Sequence, residues 1–150
     1  MLLALLLALL PVRPVTDAPK LVREAGQGRP AVLHFFATWC DACREELPRL
    51  RPAFRALPRQ NVGLLFVSID TPDKNAAVEE MLARYELEGL PALLLEAPDP
   101  DPVAKAVGEK HWDGTLPATF VFDAKGKLVK SFIGRTDARA LQAAVSKAGK

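Results

Sequence analysis

Two cysteines three positions apart, Cys40 and Cys43, are the only thiols in this 150-residue chain, and they stand in the run Trp39-Cys40-Asp41-Ala42-Cys43. A strand-like run, residues 31–37 (AVLHFFA), ends just before them, and a helical pattern begins at about Cys40. A cysteine at a helix N-terminus meets unpaired backbone N–H groups and the positive end of the helix dipole, both of which stabilise a thiolate. Cys40 is therefore the expected nucleophile. Cys43, on the same helical face and one turn deeper, can close a disulfide with it and is the expected resolving thiol. The chemistry that follows is thiol–disulfide exchange. Two other uses of the pair stand beside it. A zinc site of two cysteines and two histidines would need His34 and His111, which lie on separate elements, to converge. Two unrelated core thiols would have no reason to sit at a strand-to-helix junction.

The elements that must hold this junction read as alternating strand and helix. Asp17 is expected to cap a short helix that runs to Ala25 and ends at Gly26 and Gly28. Pro30 opens the strand over residues 31–37, nearly all apolar, as a central strand covered on both faces should be. The helix from about Cys40 is interrupted in sequence by Pro48 and Pro52. Residues 61–70 (NVGLLFVSID) read as a second buried strand, 73–85 as a helix, 91–96 as a third strand and 97–102 (APDPDP) as a stiff surface loop. Residues 103–110 form a short helix. Residues 118–123 and 127–133 then flank Ala124-Lys125-Gly126 as a β-hairpin, and Thr136 or Asp137 caps a last helix to Lys147. This alternation predicts an α/β class with helices on a central mixed sheet.

Composition narrows the field. With 49% apolar and 25% charged residues the chain is an ordinary globular domain with one core, and there are no internal repeats. Twenty basic against eighteen acidic side chains leave +2, evenly spread, too little for the basic stripe that nucleic-acid binding draws on. Residues 2–10 contain only Leu and Ala and are closed by Pro11. About eleven apolar residues fall short of the ~20 that span a bilayer; the length suits the core of a secretory signal. The expected organisation is a hydrophobic signal or membrane-anchor-like segment over 1–15 and a folded domain over 16–150, exported to the periplasm or cell envelope.

The run Gly28-Arg29-Pro30-Ala31-Val32-Leu33-His34-Phe35-Phe36-Ala37-Thr38-Trp39-Cys40, continued by Cys43-Arg44-Glu45-Glu46-Leu47-Pro48, resembles the thioredoxin superfamily, and within it the TlpA/ResA-like thiol–disulfide oxidoreductases of the bacterial envelope. The resemblance covers about residues 17–148. It implies a thioredoxin fold with an inserted helix and strand at residues 71–97, and a cis-proline facing the disulfide. Two segments compete for that proline: Gly89-Leu90-Pro91 and Thr115-Leu116-Pro117. The fold needs it to lead into an antiparallel hairpin and a closing helix, which Pro117 does and Pro91 does not.

The same resemblance assigns roles. Trp39, Leu116 and Pro117 are expected to form the surface on which a client chain docks. Glu46, three residues after Cys43 and on its helical face, matches a position that carries an active-site carboxylate, and is expected as the base for Cys43. His34, six residues before Cys40, stands where thioredoxins bury an acid; it is the rival base, or simply a core histidine bonded to a neighbour. Asp41 beside the nucleophile disfavours the thiolate and leans the couple toward reduction, while Arg44 opposes it across one turn. Trp112 is expected to anchor the loop before Pro117. The function implied is a reductase of disulfide-bearing client proteins, a monomer without bound cofactor or metal, recharged by a membrane thiol reductase. The alternative is a non-catalytic thioredoxin-like module that binds a client or a copper ion.

Overall fold

The computed structural model describes residues 9–150; the expected signal or anchor segment, residues 1–8 of it, lies outside them. Six strands form one sheet in the order β1-β4-β3-β2-β5-β6: β1 (Val12–Pro14), β2 (Ala31–Phe36), β3 (Gly63–Ser68), β4 (Ala92–Glu96), β5 (Ala118–Phe122) and β6 (Leu128–Ile133). β1, β4, β3 and β2 run parallel, and β5 and β6 run antiparallel to their neighbours. The helices are α1 (Ala18–Gly26), α2 (Asp41–Ala56), α3 (Asn75–Arg84), α4 (Asp101–Val107) and α5 (Ala138–Ala148).

Every residue of β2, β3 and β5 is buried, because helices cover both faces of the sheet centre. One core packs α2, α3 and α5 on the side of Phe36 and Phe66; the other packs α1 and α4 on the side of Phe35 and Phe120. α1 lies so close to β3 that a Cβ on Gly63 would overlap the Ala25 carbonyl oxygen, so only glycine fits there.

Four sequence expectations change. The folded unit starts before residue 16: β1 pairs with β4, Pro11 O accepts from Leu94 N at 2.9 Å, and the Asn75 amide brackets Leu10 N and O at 2.9 and 2.8 Å. A three-residue strand that follows Pro11 and ends in Pro14 gives no alternating pattern to read, and an edge tolerates the missing Pro14 N–H. α2 is continuous through Pro48 and Pro52, because Cys43, Glu46, Leu47, Leu50 and Phe54 bury one face that holds it through the two lost hydrogen bonds. Asp17 does not cap α1 with its side chain, which binds Arg13 and Lys20 instead. Finally, α4 begins inside the expected 97–102 loop, with Pro102 in a first turn that needs no N–H there.

Candidate active site at the start of α2

The carboxyl end of β2 turns through Ala37, Thr38 and Trp39 into α2. Cys40 is the N-cap of that helix, in extended conformation, and its Sγ accepts the Cys43 N–H at 3.1 Å. The two Cα atoms are 5.2 Å apart and the sulfurs are joined as a disulfide. Cys43 is fully buried and Cys40 retains a small exposed area (7%), so an incoming group reaches Cys40 first.

The turn is braced from the end of β3. Asp70, itself buried, accepts from Thr38 N at 2.9 Å, Thr38 Oγ1 at 2.5 Å and Ser68 Oγ at 2.7 Å. Arg44 grips the same residue from the other side, donating to Thr38 O at 2.6 Å while it pairs with Asp41. Sequence reading named Asp41 and Arg44 for their charge alone and passed over Asp70. The available signal was an acid at the end of an apolar strand, Ser68-Ile69-Asp70, where a buried carboxylate needs several donors.

The Leu116–Pro117 peptide is the one cis bond among the described residues, and Pro117 leads directly into β5. Ala118 pairs with Phe35 on one side and Ile133 on the other, and Pro117 O accepts Gly134 N at 2.8 Å. This places Leu116 and Pro117 at the sheet end from which the cysteine turn leaves. Pro91 instead precedes the parallel strand β4. Trp39 is 64% exposed beside the nucleophile. Trp112 is buried against Phe35 and Phe120 and donates to Thr115 O at 2.9 Å, fixing the loop that carries Pro117.

Beneath the cysteines lie two polar side chains that the sequence set up as rivals and the structure places together. Glu46, buried on the inner face of α2, accepts Thr136 N on Oε2 at 2.7 Å. Its Oε1 has no partner and lies 3.8 Å from His34 Nε2, which is also unpartnered. His34 Nδ1 is 2.8 Å from Thr119 Oγ1 on β5. Burial pushes the Glu46 carboxyl up to about 7, against the lowering effects of the Thr136 N–H and of Arg135 nearby. Burial alone pushes His34 down to about 3, so the ring is neutral. His111, the other candidate for a metal site, is exposed on a distant loop.

A joined thiol pair at a helix start, with the first cysteine the more exposed of the two and a carboxyl whose burial raises it to about 7 one turn behind, is an arrangement suited to passing electron pairs between disulfides. Comparisons with known proteins agree with this geometry. The model of the AhpC/TSA family matches residues 16–131. The sporulation thiol-disulfide oxidoreductase A of Bacillus subtilis is 28% identical over 116 residues, covering 77% of this chain and 66% of that protein. The thiol-disulfide oxidoreductase ResA of Geobacillus thermodenitrificans is 32% identical over 108 residues, covering 72% and 56%. The chain thus spans less than two thirds of the length of these curated relatives. Among solved structures, a thiol:disulfide interchange protein of the thioredoxin family from Chlorobium tepidum superposes with a TM-score of 0.66 at 21% identity, covering 85% of each chain.

Proposed function

Since the chain belongs to the AhpC/TSA family and has the thioredoxin fold, we propose that it is a thiol–disulfide oxidoreductase that reduces disulfides of client proteins in the cell envelope. The observation that carries this reading is the Cys40–Cys43 disulfide at the N-terminus of α2, with the Cys40 sulfur on the Cys43 N–H. In the reduced state the Cys40 thiolate attacks a client disulfide, forming a Cys40–client mixed disulfide and releasing one client thiolate. Cys43 loses its proton, attacks the Cys40 sulfur and releases the second client thiolate. Two electrons have passed to the client and the Cys40–Cys43 bond is closed.

Cys43 is fully buried, where a thiolate is disfavoured, so a local base speeds its attack. Glu46 fills that role: it lies one turn on along the same buried face and takes up a proton near pH 7. Trp39, Leu116 and Pro117 form the docking surface for the client. The donor that reopens the disulfide is a membrane thiol reductase, and the Leu/Ala segment that precedes Leu10 exports or anchors the monomeric domain. Replacement of Cys43 by Ser tests the scheme. This variant is expected to accumulate a mixed disulfide at Cys40 with disulfide-bearing clients such as insulin, while Cys40→Ser traps none. Equal trapping by both variants would refute the assignment of nucleophile and resolver.

A further inference from the structure

Glu46 Oε1 and His34 Nε2 are both buried without a hydrogen-bond partner and face each other across 3.8 Å. That gap is too long for a hydrogen bond and too short to admit a bridging water, so each atom's available partner is the other, reached by a small side-chain adjustment. Buried polar atoms left unpaired cost free energy, and a pair of them in van der Waals range is a feature that a purely apolar contact would not require. The ring is otherwise enclosed by Phe36, Phe54 and Phe66, at centroid distances of 6.2, 5.0 and 5.8 Å. Its second nitrogen is on the Thr119 hydroxyl, a group that both donates and accepts.

We propose that His34 is a positioning residue for Glu46: its neutral ring supplies a partner to the carboxyl in both protonation states, so that the carboxyl can accept the Cys43 proton and give it up again without being stranded. This rests on the reading of Glu46 as the base. With Glu46 ionised, Nε2–H donates to Oε1 and Nδ1 accepts from Thr119. With Glu46 protonated on Oε2, Nε2–H still donates to Oε1, now the carbonyl oxygen of the acid, and Nδ1 still accepts from Thr119, so no ring proton has to move. The ring carries one N–H in each state, and the single proton gained by the pair is the one Cys43 loses.

The residue type matters. A lysine or arginine here would hold the carboxylate ionised, and a leucine would leave the charged oxygen facing hydrocarbon. The other groups acting on Glu46 come from different elements: the Thr136 N–H, and Arg135, which is shared with Glu45 at 2.9 Å on the outer side of α2. Neither hydrogen-bonds Oε1, and the polar atom facing that oxygen is His34 Nε2.

The test is the pH profile of resolution in the full-length chain, followed in a single turnover as thionitrobenzoate leaves its mixed disulfide with Cys40. In His34→Leu the carboxylate loses its donor, so the profile midpoint is expected to move up by about one pH unit, with resolution at pH 6 slowed about tenfold. In His34→Gln, whose amide can also donate or accept, the midpoint should return to within about half a unit of the parent's. A folded His34→Leu with the parent midpoint overturns the proposal. Glu46→Gln separates the two levels: if it keeps the parent's pH step, the base reading itself falls, whereas if it abolishes the step and His34→Leu leaves it in place, only the role of His34 falls. Should His34→Leu not fold, the parent chain decides. The His34 ring nitrogens, read by NMR, are expected to stay neutral from pH 5 to 8 yet shift with the same midpoint as the Glu46 carboxyl carbon, and nitrogens insensitive to that titration overturn the proposal.

Discussion

Replacing Glu46 by Gln should make the oxidised protein more stable at pH 8 than the parent, and by an amount that disappears in acid. The buried carboxyl takes up its proton at about 7 in the fold against an ordinary value of 4.5. At ~1.4 kcal/mol for each tenfold difference, ionising it inside the fold costs about 3 kcal/mol above pH 7. The sign follows from proton counting. Between pH 4.5 and 7 the native chain holds more protons at this site than the unfolded chain, so raising the pH through this window lowers stability. Gln keeps the acceptor for Thr136 N and does not titrate. The stability difference between variant and parent should therefore grow by about 3 kcal/mol from pH 4.5 to 8. His34 pulls the other way, because it is neutral in the fold to about 3 and protonates near 6.5 when unfolded, but this effect is common to both proteins and cancels in the difference. Urea unfolding of the oxidised proteins at pH 4.5, 6 and 8 measures it. A difference constant within about 0.5 kcal/mol across that range would show that the carboxyl titrates as an exposed one does, and would refute the burial argument.

Two further substitutions probe the frame around the site. Gly63→Ala should destabilise by several kcal/mol, on the order of 3 or more, because its Cβ collides with backbone rather than with a movable side chain; urea midpoints check this. Asp70→Ala leaves the Thr38 N–H and the Thr38 and Ser68 hydroxyls without their acceptor and should cost about 2–4 kcal/mol. It should also raise amide exchange at Thr38, whereas exchange unchanged from the parent would mean that Arg44 alone holds the turn.

The parts of the fold that were legible in sequence are those with strong local patterning. β2, β3 and β5 read as strands because they are apolar on both faces, and Pro117 was separable from Pro91 because only it leads into a hairpin. The cysteine pair was legible because its chemistry lies in four consecutive residues. β1 was not, since three residues ending in a proline acquire strand identity only from β4 beside them. The pairing of His34 with Glu46 was hidden for the same reason: it depends on α2 crossing β2 at one particular depth, a tertiary distance that no spacing along the chain records. Asp70 and Thr119 belong to the same class, ordinary polar residues until the sheet places Thr38 and His34 next to them.

The central claim is that Cys40 and Cys43 form an exchange centre and not a structural clasp, and the reduction potential of the pair tests it most directly. The chain would be equilibrated in graded dithiothreitol and glutathione buffers at pH 7, alkylated and weighed. Both cysteines are expected to oxidise together in a single two-electron transition with a midpoint between about −270 and −120 mV, the span of known exchange proteins. A midpoint below about −300 mV, the range of structural disulfides, would contradict the account, as would persistent glutathione adducts on one cysteine in place of a closed pair.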